Sequence, residues 1–64
     1  MLRIKWFGKF EDCFGKFHPQ TLYFDGRDYE DVLRQISDYV DDMDDRNDWC
    51  LVETKILDTI NTRN

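Results

Sequence analysis

The 64 residues amount to 7.8 kDa, room for a single domain over 1–64 with a small core, since a chain of this length buries only about 60% of the surface it exposes unfolded. Hydrophobic residues at 41% and aromatics at 16% are too many for a disordered segment. A net charge of −5, from 14 acidic and 9 basic residues, argues against a nucleic-acid coat or a binder of anionic membrane, which need basic surface.

Residues 1–6 carry charges inside their apolar stretch, unlike a signal peptide, and no run approaches the ~18 apolar residues of a membrane span. A cytoplasmic chain, the cytoplasm being that of a bacterial host, is the expectation. Leu2, Ile4 and Trp6 share one face and Arg3 and Lys5 the other, the period-two pattern of a half-buried strand over 2–7. Gly8 and Gly15 read as punctuation, and His18-Pro19 as a turn with His18 facing solvent. Phe7-Gly8-Lys9-Phe10 recurs as Phe14-Gly15-Lys16-Phe17. The two copies suit similar places on either side of a turn around Glu11-Asp12. Phe10, Phe14 and Phe17 also fit a short helical piece, which the glycines disfavour. Residues 20–24 are β-branched and aromatic and stop at Asp25-Gly26, which predicts a second strand in an antiparallel hairpin with an irregular connection.

A helix follows. Asp28 can cap it, with Asp31 at the third helical position. At about 100° per residue, Tyr29, Val32, Leu33, Ile36, Tyr39, Val40 and Met43 fit an arc of about 120°, the width of a helix lying on a sheet. Residues 44–48 end the helix. Residues 49–57, apolar at first and alternating later, predict a third strand in the centre of the sheet. Residues 58–64 lack a sustained pattern; Ile60 can pack, and 61–64 read as a frayed tail. The order is β-β-α-β. The expected fold is α+β, a small three-stranded sheet with one amphipathic helix on one face. If the second and third strands lie parallel, their crossover is right-handed. The uncovered face, bearing some of Arg3, Lys5, Phe7 and Tyr23, is then a contact or homodimer surface.

Cys13 and Cys50 lie 37 residues apart, with no CxxC and no second histidine to complete a zinc set. One disulfide is compatible with the sequence; in a reducing compartment both read as small hydrophobes. A calcium frame begun at Asp42 takes Asp44, Asp48 and Glu53 at positions three, seven and twelve, but Arg46 and Asn47 occupy the fifth and sixth, where a ligand and a glycine belong. Paired carboxylates on a convex helix have no pocket, Ser37 and Cys50 have no histidine base nearby, and no phosphate-cradling loop is present. The expectation is a protein without catalysis, metal or cofactor.

Charge is distributed unevenly. Residues 1–18 hold four basic and two acidic side chains, and 25–48 hold ten acidic and three basic. Asp28, Glu30 and Asp31 face the positive end of the helix dipole and have a structural reason. Asp41, Asp42, Asp44 and Asp45 lie at the negative end, and Asp38–Asp41, Asp38–Asp42 and Asp41–Asp45 are like-charge neighbours costing about 0.2–0.5 kcal/mol each. With the dipole term the penalty is about 2–3 kcal/mol, large against the roughly 3–5 kcal/mol of a domain this small. A solvated face that keeps the protein soluble is the plain explanation. Against it, glutamate would bring the same charge with better helix propensity, yet 41–48 holds five aspartates and no glutamate. Asp38, Asp41, Asp42, Asp44, Asp45 and Asp48 span about 15 Å if helical. That is about one charge per 2.5–3 Å, against about 1.7 Å of axis in duplex DNA.

The N-terminal half supports a rival reading. Trp6, Phe7, Phe10, Phe14, Phe17, Tyr23 and Phe24 interleave with Arg3, Lys5, Lys9 and Lys16, the combination on which single-stranded nucleic acid stacks. The same aromatics are also the material of a small core, and the overall charge opposes direct nucleic-acid binding.

The layout, with Tyr29-Glu30-Asp31-Val32-Leu33 opening the helix, resembles small bacteriophage host-takeover proteins: early phage inhibitors of host RNA polymerase, and some anti-CRISPR and anti-restriction proteins. The likeness is one of size and element order over most of the chain and assigns no residues. It implies a partner among host nucleic-acid-binding proteins, such as an RNA polymerase or nuclease. The expected function is an acidic inhibitor presenting Asp38, Asp41, Asp42, Asp44, Asp45 and Asp48 to a Lys/Arg groove. The alternative is a single-stranded nucleic-acid or protein-binding module using the aromatic-basic sheet face.

Overall fold

The period-two alternation at the N-terminus runs further than its first six residues. In the computed structural model, which describes residues 1–61, β1 spans Leu2–Glu11 and turns Ile4, Trp6, Gly8 and Phe10 inward. β2 (Phe17–Gly26) pairs antiparallel on one side of it and β3 (Cys50–Asn61) antiparallel on the other. Helix α1 (Tyr29–Asn47) packs on one face. The fold is α+β, a three-stranded sheet in the order β2-β1-β3 with chain order β-β-α-β.

The central strand is therefore β1, and the expectation that residues 49–57 form the centre is corrected. Two register shifts explain the misleading run. Phe10 opposes Leu51 and Lys9 opposes Glu53, so Val52 is an extra residue; Trp6 opposes Ile56 and Lys5 opposes Asp58, so Leu57 is another. Each β-bulge inserts one side chain and leaves the later residues of the strand on the faces their partners dictate. The apolar continuity of Leu51-Val52 and Ile56-Leu57 records bulges, not burial on two faces. β3 continues through Ile60 to Asn61, which opposes Leu2. Ile60 opposes Arg3 on the open face and is 42% exposed, so it packs in no core. The rest of the expected frayed tail, 62–64, lies outside the described residues.

The hairpin corrects two further expectations. Asp12 closes the β1–β2 connection: its N–H donates to the Lys16 carbonyl at 2.9 Å, and its carbonyl accepts from Gly15 N–H at 3.1 Å. Its Oδ1 accepts from the N–H groups of Phe14 and Lys16 at 2.8 and 2.9 Å. Gly15 sits at φ 81, the left-handed position such a tight loop requires. No helical piece forms among Phe10, Phe14 and Phe17. The two FGKF copies are not equivalent either. Gly15 turns the chain, whereas Gly8 lies in mid-strand, where a Cβ would fall 2.1 Å from the Trp6 ring. Finally, His18 and Pro19 belong to β2. His18 is half-buried, its ring stacked on Trp49 at 4.0 Å, with Nε2–H donating to Asp12 Oδ2 at 2.8 Å. Pro19 is tolerated because β2 is an edge strand.

The helix begins as its acids predict. Asp28 Oδ1 accepts from Asp31 N–H at 2.9 Å, and Asp31 Oδ2 reaches back to Arg27 N–H at 3.1 Å. Val32 and Ile36 join Ile4, Trp6 and Phe10 in the buried core. Leu22, Phe24, Tyr39, Val40, Met43 and Leu51 pack around it. Tyr39 meets Trp6, Phe10 and Phe24 edge-on at centroid distances of 6.1–6.2 Å, geometry that favours aromatic quadrupoles. Trp6 Nε1–H donates to Thr54 Oγ1 at 2.8 Å. Leu33, at the margin of the apolar arc, and Tyr29, at the first position of the helix, stay exposed. Both cysteines are free and exposed, so no disulfide joins them.

Candidate functional site: an acidic helix face

The buried side of α1 dictates what its other side must be. With Val32 and Ile36 turned to the sheet, positions 38, 41 and 45 fall about 120–180° away at 100° per residue. Asp38, Asp41, Asp44 and Asp45 are exposed and Asp42 is half-buried. These five line one shallow, open depression of about 450 Å³. Asp48 does not join them. It lies past the helix end at φ 55, ψ 37, its N–H donating to the Asp44 carbonyl at 3.1 Å.

Among the described residues, one aspartate of the six is neutralised by a cation of the same chain. Arg46 Nε meets Asp42 Oδ1 at 2.9 Å, four residues on and largely exposed, a pair worth about 0.3–0.5 kcal/mol. Among the described residues, the carboxylates of Asp38, Asp41, Asp44, Asp45 and Asp48 have no ion pair or hydrogen bond. Asp44, Asp45 and Asp48 also stand where the helix dipole is negative, so their fields add. In the calcium frame, Glu53 is drawn to Lys9 at 3.4 Å and Lys55 at 3.8 Å. Among the described residues no three His, Cys, Asp or Glu side chains converge to hold a metal ion.

The open sheet face has a different electrostatic character. Directly opposed residues share a face, so the register puts Arg3, Lys5, Lys9 and Lys55 there together with Glu11, Asp25, Glu53 and Asp58. The four positive charges are matched by four negative. Arg3 Nε bonds Asp25 Oδ1 at 2.8 Å and Nη2 bonds Oδ2 at 3.1 Å, a two-pronged pair that holds the Asp25 carboxyl below the ordinary carboxylate range. Arg3 and Lys5 lie 5.8 and 5.9 Å from the Tyr23 ring centre and Lys9 lies 5.0 Å from that of Phe17. The aromatic-basic combination seen in the sequence is thus divided. Trp6, Phe10 and Phe24 turn inward, and Phe7, Phe17 and Tyr23 remain on a face of balanced charge. The pairing of acids with these bases was invisible without the strand register.

None of the described helices is long and apolar enough to cross a membrane. No protein-family profile matches the chain, and neither a curated protein nor a solved structure shows a significant likeness to it.

Proposed function

We propose that the chain is a small acidic inhibitor that binds a host nucleic-acid-handling protein through the outer face of α1 and excludes nucleic acid. The observation that carries the reading is the contrast between the two solvent faces. The sheet face balances its charges internally, whereas the helix face gathers five aspartates in one depression, with Arg46 paired to Asp42 beside it and Arg34 exposed one turn before Asp38. A protein that grips phosphates with lysine and arginine meets here a negative surface lower in charge density than duplex DNA but of the same order. Binding is steric and electrostatic, without chemistry, and weakens as salt screens it.

The test is the quadruple variant Asp41→Asn, Asp42→Asn, Asp44→Asn, Asp45→Asn. Tagged parent and variant are used to capture partners from a bacterial lysate, and the captured protein's DNA binding is followed by gel shift. The variant should bind at least about tenfold more weakly. Its stability should rise by about 1–2 kcal/mol through relief of repulsion at the helix end. Equal binding by parent and variant overturns the proposal. So does micromolar binding of a labelled single-stranded oligonucleotide by the parent at physiological salt, which would move the function to the sheet face.

A further inference from the structure

The two edges of the sheet are built differently. The β2 edge contains Pro19, which has no N–H to offer an incoming strand. The β3 edge is 12 residues long, and every residue from 54 to 61 is exposed. Val52, Ile56, Leu57 and Ile60 each leave between 41 and 49% of their surface in water. Alongside runs an apolar groove of about 360 Å³ between α1 and β3, lined by Trp6, Leu33, Ile36, Thr54, Lys55 and Ile56. The chain is also drawn out for its size. Its radius of gyration is 12.7 Å where a compact chain of this length has about 10.7 Å. Its surface is 4810 Å² where its mass calls for about 4,400 Å².

We propose that β3 pairs antiparallel with β3 of a second copy about a two-fold axis, joining two three-stranded sheets into one of six strands. The bulge at Leu57 selects the register. In an antiparallel pair related by a two-fold axis normal to the sheet, opposed residues lie on the same face. Lys55 and Asp58 oppose Phe7 and Lys5 of β1, so both stand on the open face, although three residues apart. Setting Lys55 opposite Asp58 of the second copy makes two identical ion pairs. The same register opposes Thr54 to Thr59 on the helix side and brings Ile56 against Leu57 at the axis, beside the groove. Asp58 also acts as a cover in the single chain: its Oδ1 accepts the Thr59 N–H at 2.9 Å. On pairing, that N–H passes to the second copy's backbone and the carboxylate to its Lys55.

Sedimentation velocity of the full chain from 10 to 500 µM tests this. The parent should sediment at twice 7.8 kDa. Lys55→Asp and Asp58→Lys should each raise the dissociation constant at least tenfold. Mixed together they should form a heterodimer as tight as the parent, because every opposed pair is again of unlike charge. If either variant fails to show the folded Trp6 emission, Leu57→Lys at the axis must dissociate the dimer instead. A parent that stays monomeric throughout overturns the proposal. Folded variants that dimerise like the parent, or that do not restore each other, overturn it equally.

Discussion

Gly8 shows how much a single position without a side chain can carry. It follows Trp6 by two residues on the inward face of β1, and the indole ring lies across it. A methyl group there must push the ring off Thr54 and out of its edge-on contacts with Phe10, Phe24 and Tyr39. Gly8→Ala should therefore destabilise by about 2–3 kcal/mol, read as a lower urea midpoint and a red shift in tryptophan emission. In sequence the residue looks like a break; a Trp two places earlier in an alternating strand is the signal that it is a seat. Asp12 is the other residue whose surroundings are specific. The His18 hydrogen bond first, then the N–H groups of Lys16 and Phe14, hold its carboxyl below the ordinary range. A carboxyl lowered in the folded state stabilises above its unfolded value near pH 4. The contribution is lost as pH falls through the folded value. Asp12→Asn keeps an oxygen for the loop N–H groups but has no proton to gain. The gap between the thermal midpoints of parent and variant should close as pH drops below about 4.

Among the elements, α1 was the most legible, because seven apolar residues at helical spacing and an Asp28 cap have one reading. Its end was less so. The chain leaves the helix through Asp48 in the left-handed region, where a Cβ is unfavourable and glycine is the usual occupant. Asp48→Gly should raise stability by about 1 kcal/mol, measured by urea unfolding. Because Asp48 lies outside the aspartate depression, the change should alter partner capture far less than the quadruple substitution does. The strands were legible in kind and not in order. In a sheet covered on one face, the innermost strand alternates like any other, so the pattern of β1 gave no sign of its place. The bulges at Val52 and Leu57 made an edge strand read as a centre. The six acids of the candidate site were all visible in the sequence. What the sequence could not contain was their grouping into five and one, and the pairing of the opposite face.

At the scale of the whole molecule, length exceeds thickness by a wide margin, 46 × 19 × 12 Å. The sheet outruns its single helix: 12 residues of strand reach about 40 Å, and 19 residues of helix about 28 Å. One core of five buried residues must hold this together, so the uncovered edge and the like-charged helix end both weigh on stability. The order β2-β1-β3 also has a temporal side. Of the three strands the innermost is made first, and it waits between neighbours made later. Its ladder with β3 joins Leu2 to Asn61, so that ladder closes only when residue 61 has emerged. Closing so long a loop is slow beside hairpin or helix formation. The β1–β2 hairpin therefore first exists with one flank bare, and the arrival of the twelve-residue β3 is the step that commits the sheet.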